Sequence, residues 1–121
     1  MYSRLKTLVA VAALCIGAGA AQAQYSDGTI KFGVLNDQSG LYSDLTGQGS
    51  VWATRKAIED FCKSTTCHNK IEVVFADHQN KPDVGSNIVR QWYDVDKIDV
   101  VVDVPTSSVA LAVNNITKEK N

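Results

Sequence analysis

Three short apolar runs, rich in valine and isoleucine, constrain the fold of this 121-residue chain more than any other feature of its sequence. They cover residues 30–35, 71–76 and 98–104. Each run is nearly continuous rather than alternating between apolar and polar residues, which is typical of strands in a parallel sheet that is covered on both faces. The spacing leaves room for a helix between successive runs. The pattern therefore predicts an α/β fold.

The segments that follow the runs have the periodicity of amphipathic helices. Pro82 and Asp83 suit the first turn of the second helix, and Thr106 and Ser107 can cap the third. The predicted inner faces are Val51, Ile58 and Phe61; Val84, Ile88, Trp92 and Val95; and Val109, Val113 and Ile116. The element order is β-α-β-α-β-α. Because crossovers between parallel strands are right-handed, we expect strand order 2-1-3 with helices on both faces of the sheet.

Open α/β sheets bind ligands beyond the carboxyl ends of their strands, where the strand order reverses. Three loops lie there, at residues 36–49, 77–81 and 105–108. In the first loop, small residues let backbone amides approach a ligand, and Tyr42 can pack on an apolar one. The last loop places Thr106, Ser107 and Ser108 at a helix N-terminus, where free N–H groups and the helix dipole favour a bound carboxylate.

Four segments lie on or directly after the predicted strands: residues 30–35 (IKFGVL), 37–42 (DQSGLY), 71–85 (IEVVFADHQNKPDVG) and 102–113 (VDVPTSSVALAV). Together they resemble the substrate-binding proteins of branched-chain amino acid type ABC transporters, of which the leucine-binding protein is typical. The resemblance implies a two-lobed, type I periplasmic binding fold that closes on a small solute and presents it to a membrane permease.

The resemblance also assigns roles to particular residues. It implies that Ser39, Gly40 and Tyr42 border the solute, and that Thr106, Ser107 and Ser108 take its carboxylate. Leucine binders commonly carry a run of serines preceded by cysteine, whereas this chain has Asp-Val-Pro-Thr at 103–106. The solute therefore stays open among amino acids, amides and short carboxylates, and we expect neither a cofactor nor enzymatic activity.

The first 23 residues have the organisation of a cleavable signal peptide. Two basic residues precede an apolar run at residues 8–16, and Ala21 and Ala23 suit the pocket of a signal peptidase. A transmembrane anchor would need roughly 20 apolar residues, and Gly17 and Gly19 dilute the run too early. We expect cleavage before Gln24 and a periplasmic product at residues 24–121.

The charge of this product argues against a nucleic acid partner. After Arg4 and Lys6 are removed with the leader, ten basic and thirteen acidic side chains remain. A protein that neutralises a phosphate backbone needs a basic stripe, which this composition does not supply.

Two cysteines, Cys62 and Cys67, remain after cleavage and lie in the turn between the first helix and the second strand. In an oxidising compartment, pairing is the default for such cysteines, so we predict a disulfide. The alternative is covalent haem attachment, because His68 follows directly and completes an uncommon attachment pattern. Haem would need an apolar pocket and normally a second axial ligand, which the edge of an α/β sheet does not favour.

Asp77 and His78 form the remaining pair of chemical interest, since a carboxylate beside an imidazole can serve general-base catalysis or bind a metal. Adjacent residues on an extended segment point to opposite faces, and no nucleophile stands at a recognisable spacing. We therefore expect a structural role in the turn, with no catalytic residue and no metal site.

The sequence also predicts that the 121 residues are an incomplete N-terminal lobe. A further strand would be needed to cover the open edge of the third, and a solute cleft needs an opposite wall. The same two-lobed fold serves as the extracellular ligand-sensing domain of signalling receptors, which is the alternative function.

Overall fold

The computed structural model describes residues 28–120. Its strands are β1 (Thr29–Asn36), β2 (Lys70–Asp77) and β3 (Val100–Val102), and its helices are α1 (Gly47–Ser64), α2 (Pro82–Gln91) and α3 (Ser107–Lys120). A π-helical turn at Trp92–Asp96 continues α2. The predicted signal peptide and its cleavage site lie outside the described residues. Within residues 28–120, no helix is both long enough and apolar enough to span a bilayer.

The three strands form one parallel sheet in the order β2-β1-β3. Phe32 of β1 pairs with Val73 of β2 on one side and with Val100 of β3 on the other. This confirms the predicted parallel sheet with strand order 2-1-3 and flanking helices. Because all three strands are parallel, their carboxyl ends lie at one edge of the sheet.

The core lies where α2 and α3 pack against each other and the sheet. Its buried side chains are Leu35, Val89, Trp92, Ile98, Val109, Val113 and Ile116. The predicted inner face of α3 is therefore confirmed. Trp92 lies so close to β1 that a Cβ atom at Gly33 would come within 2.4 Å of the indole Cζ3 atom. The absence of a side chain at Gly33 is what lets the indole lie against the sheet.

The predicted inner face of the second helix is wrong at Val95, which is 68% exposed. The reason is the π-helical turn, in which each backbone hydrogen bond encloses one residue more than in an α-helix. The wider turn rotates the residues that follow Trp92 away from the apolar stripe, so Trp92 is buried and Val95 is not. The turn ends at Lys97 in a left-handed conformation, with φ of 57°.

The predicted inner face of the first helix holds for Val51 and fails for Phe61, which is 58% exposed. At about 100° per residue, Ile58 returns to within about 20° of Val51, but Phe61 lies about 80° away, at the margin of the stripe. Burial follows this difference, since Val51 is buried and Ile58 is half-buried.

The third strand is shorter than the predicted run at residues 98–104. Ile98 belongs to the end of the preceding turn, where its N–H donates to the carbonyl oxygen of Trp92. Asp103 ends the strand because its φ of 54° is left-handed, which extended backbone does not allow.

The predicted disulfide between Cys62 and Cys67 is confirmed. It joins the end of α1 to the segment before β2, and both sulfurs are bonded to each other, which leaves neither for haem.

Replacing both cysteines with serine is expected to lower the free energy of unfolding, because the disulfide restricts the unfolded chain. The loss should be only about 2 kcal/mol, since the closed loop is short. Urea denaturation of the two forms measures the difference. Reduction of the wild type is the matched control and should give the same loss. A double variant as stable as the oxidised wild type would contradict the prediction.

Candidate functional site

An open cleft of about 570 Å³ lies at the carboxyl ends of the three strands. All three loops that were predicted to meet at this edge contribute to it. The residues that line it are Tyr42, Leu45, Thr46, Asn80, Pro105, Thr106, Ser107 and Ser108. None of these side chains carries a charge at neutral pH, so a polar solute would meet hydroxyl and amide groups here.

The N-terminus of α3 forms one wall of the cleft. The helix begins at Ser107, and the N–H of Ala110 donates to the carbonyl oxygen of Thr106 at 2.8 Å. The first N–H groups of a helix have no partner within it, so this end can donate to an anion. The hydroxyl of Thr106 is buried and makes no hydrogen bond with residues 28–120. Its predicted role as a helix cap is therefore wrong, because a capping oxygen accepts from an N–H of the first turn.

The loop after β1 is organised by the buried carboxylate of Asp37. Its two oxygens accept hydrogen bonds from the N–H groups of Gly40 at 2.9 Å and of Tyr42 at 3.0 Å. A Cβ atom at Gly40 would lie 2.7 Å from both carboxylate oxygens. Gly40 therefore leaves room for the Asp37 carboxylate inside the loop. The loop held in this way places Tyr42 at the cleft.

Ser39 points to the loop after β2 rather than lining the cleft. Its hydroxyl donates to Oδ2 of Asp77 at 2.5 Å. Oδ1 of Asp77 accepts from the N–H groups of Gln38 at 3.0 Å and Gln79 at 2.7 Å. Although burial raises the pKa of Asp77, these three hydrogen bonds outweigh it and hold the pKa below its ordinary value. Among the predicted site residues, the structure therefore places Tyr42, Thr106, Ser107 and Ser108 at the cleft, but not Ser39 and Gly40.

His78 is fully buried behind the cleft. Its Nδ1 atom accepts a hydrogen bond from the N–H of Asn80 at 2.9 Å, and its Nε2 atom finds no partner among the described residues. Burial lowers the pKa of His78 below its ordinary value, against the opposing effect of the nearby carboxylates. Asp77 and His78 make separate hydrogen bonds within the turn, which is the arrangement expected of turn residues rather than of a catalytic pair.

Asn36, the last residue of β1, links the loops in a way the sequence analysis missed. Its amide nitrogen donates to the carbonyl oxygen of Gly47 at 3.0 Å and to Oδ2 of Asp103 at 2.7 Å. Its amide oxygen accepts from the side chain of Gln38. In the sequence, the only signal was an asparagine directly after the apolar run at residues 30–35. Its complete burial is visible only in the structure.

Four cleft residues were not singled out by the sequence: Leu45, Thr46, Asn80 and Pro105. All four lie in the three loops that topology selects, so the loops were identified correctly and the individual residues were not. Among residues 28–120, no group of three or more histidine, cysteine or acidic side chains could hold a metal ion.

Comparison with protein families gives a match over residues 29–121 to the model described as periplasmic binding protein. No curated protein sequence matches the chain significantly.

Solved structures share the fold. A periplasmic binding protein from Burkholderia mallei is 40% identical with a TM-score of 0.71, over 77% of this chain and 24% of its own. A branched-chain amino acid ABC transporter periplasmic ligand-binding protein from Burkholderia xenovorans is 42% identical with a TM-score of 0.70, over 76% of this chain and 24% of its own. An ABC transporter solute-binding protein from Rhodopseudomonas palustris, in complex with benzoate, is 25% identical with a TM-score of 0.59, over 76% of this chain and 25% of its own. The chain thus spans about a quarter of the length of these structures.

Proposed function

Because the chain belongs to the family of periplasmic binding proteins, we propose that it is the N-terminal part of the solute-binding component of an ABC importer. In this role, the protein captures a small solute in the periplasm and delivers it to permease subunits in the inner membrane. The observation that carries the proposal is the convergence of three strand-end loops on one uncharged, hydroxyl-bearing cleft. Residues 1–23 would serve as the signal peptide, and residues 24–121 as part of the first lobe.

The chemistry of the cleft favours a solute with a carboxylate and an apolar portion. Ser107 and Ser108 stand in the first turn of α3, where N–H groups and hydroxyls can share one anion. Tyr42 and Leu45 offer apolar surface on the facing loop. An amino acid and a short organic acid both fit this description. Two similar structures point the same way, since one is a branched-chain amino acid ABC transporter periplasmic ligand-binding protein and the other was solved in complex with benzoate.

The proposal includes a second lobe that is encoded beyond this segment. Small-solute sites typically bury about 70–90% of the ligand surface. The cleft described here is open, and its three loops supply one wall only. A closing lobe would supply the opposite wall, and with it part of the affinity.

Ser107→Ala and Ser108→Ala are each expected to weaken solute binding by about 1–3 kcal/mol in the complete translated protein, because each removes an exposed hydroxyl that is available to a charged group. Calorimetry with L-leucine and with benzoate measures the change. Thr66→Ala is the matched control, since this exposed threonine lies in the turn before β2, at the opposite edge of the sheet. Unchanged affinity in both cleft variants would exclude this wall as the carboxylate site.

A further inference from the structure

The turn between β2 and α2 is held in an unusual backbone conformation by a buried imidazole. Gln79 and Asn80 have left-handed φ angles of 52° and 58°, which non-glycine residues rarely adopt. The N–H of Asn80 donates to Nδ1 of His78 at 2.9 Å, and His78 is fully buried. The N–H of Lys81 in turn donates to the carbonyl oxygen of His78 at 2.8 Å. The backbone at Asn80 is therefore fixed from inside the protein.

The side chain of Asn80 is the part of this turn that is available to a solute. Asn80 lines the cleft together with Tyr42 and the residues at the start of α3. Its amide group makes no hydrogen bond with any other residue of the described segment 28–120, whereas the neighbouring Gln79 accepts from the side chain of Lys81. An amide offers both a donor and an acceptor, so it can recognise a polar group of a solute by direction as well as by charge.

We propose that Asn80 is a solute-contacting residue of the cleft and that His78 is the residue that positions it. The inference rests on the proposed function, because it assumes that the cleft binds a solute. The amide nitrogen of Asn80 then donates to a solute oxygen from the loop after β2. His78 acts only through Asn80 and touches no solute.

This arrangement works only while His78 is neutral. Because Nδ1 accepts the Asn80 N–H, the proton of the neutral ring is on Nε2, and Nδ1 is the only site for a second proton. Protonation there would turn the acceptor into a donor that faces another donor. The charged groups near the ring are Asp37, Asp77 and Asp103, at the ends of the three strands. From α2, Gly85 lies against His78 and does not titrate, since a Cβ atom at Gly85 would come within 3.6 Å of the His78 Cβ atom.

The sign of the pH dependence follows from burial. Burial lowers the pKa of His78 below its ordinary value of about 6.5, so the ring stays neutral at neutral pH. As pH falls below about 6.5, the unfolded chain binds this proton before the folded protein does, and stability declines in that direction. Solute affinity should decline when the folded protein itself becomes protonated, because Asn80 then loses its anchor.

Asn80→Gly tests the contact without disturbing the turn. Glycine keeps the backbone N–H for His78 and adopts left-handed φ angles readily. Calorimetry on the complete translated protein, with L-leucine and benzoate as probes, should show an affinity reduced about 3- to 10-fold for the probe that binds. Gln79→Gly, at the neighbouring left-handed position that does not line the cleft, is the control and should leave the affinity unchanged. Equal affinity of Asn80→Gly and wild type would overturn the contact.

His78→Asn tests the positioning role, because the asparagine oxygen can replace Nδ1 as acceptor and does not titrate. His78→Leu fills the space without an acceptor. As acidification protonates the ring in the folded wild type, its affinity should fall, while His78→Asn should keep a flat profile over the same pH range and His78→Leu should be weak throughout. A wild-type profile as flat as that of His78→Asn would overturn the role of His78.

A measurement without solute separates this inference from the proposed function. Long-range ¹H–¹⁵N spectra of the wild type report which imidazole nitrogen carries the proton. Two results together support the positioning role: a proton on Nε2 at neutral pH, and a change in the chemical shift of the Asn80 backbone amide on acidification. A proton on Nδ1 at neutral pH overturns it even if the cleft binds solute. Failure of the wild type to bind either probe, with Nε2 protonated, would contradict the proposed function and leave the positioning of Asn80 by His78 supported.

Discussion

Gly33→Val is expected to lower the free energy of unfolding by about 3 kcal/mol or more, although valine has a much higher strand propensity than glycine. Gly33 lies at the middle of the central strand, and even a Cβ atom there would approach within 2.4 Å of Cζ3 and 2.7 Å of Cε3 of the Trp92 indole. Trp92 is itself buried in the core, so the ring has little room to move away. Urea denaturation monitored by tryptophan fluorescence and circular dichroism measures the loss.

Gly49→Ala is the matched control for this prediction. Gly49 lies in α1, where a Cβ atom would meet no other atom within 4 Å. Alanine has the higher helix propensity, so this variant should be as stable as the wild type or gain up to about 1 kcal/mol. If Gly33→Val proved as stable as Gly49→Ala, the close approach of the indole to β1 would be wrong.

Asp37→Ala is expected to cost about 3–5 kcal/mol of folding stability and to abolish solute binding with it. The carboxylate is fully buried and accepts the N–H groups of Gly40 and Tyr42, and hydrogen bonds to charged groups contribute about 1.5–3 kcal/mol each. Without the carboxylate, the N–H groups of Gly40 and Tyr42 lose their hydrogen-bond acceptor. Thermal and urea denaturation measure the stability, and calorimetry with L-leucine and benzoate measures the binding.

Asp37→Asn should give an intermediate loss, because an amide keeps one acceptor oxygen and places a donor against the second N–H. Asp44→Ala, which changes an exposed aspartate of the same loop, is the control and should change stability by less than about 0.5 kcal/mol. Equal losses for Asp37→Ala and Asp44→Ala would show that the loop is not held through Asp37.

The sequence was sufficient for the topology because the relevant rules are local or nearly universal. Nearly continuous apolar runs such as residues 71–76 identify strands of a parallel sheet, and the right-handed crossover rule then leaves few arrangements. The same rules identified the three loops that line the cleft. Tyr42 and the segment at residues 106–108 were found there because each combines a strand end with a distinctive side chain.

What the sequence could not provide depends on contacts between distant residues. Val95 fits an α-helical stripe, and only the π-helical turn after Trp92 rotates it outward. Ser39 and Gly40 stand in the correct loop, but the carboxylates of Asp77 and Asp37 hold them. His78 is a polar residue in a turn, a position that normally implies exposure, and its complete burial follows from the convergence of the three strand ends.

The first strand of the chain is also the middle strand of the sheet, so both ladders join residues that are far apart in the sequence. Phe32 pairs with Val73 on one side and with Val100 on the other. The paired residues are therefore about forty and about seventy positions apart in the sequence. The sheet contains no hairpin that could form early. Each strand pairing must close a long loop, and the entropy cost of this closure precedes the stabilising contacts. For a chain that is threaded through a membrane channel from its N-terminus, as we propose, this delay is useful. In such a chain, β1 would have no strand to pair with until β2 had been synthesised, and the sheet would not be complete until β3 followed.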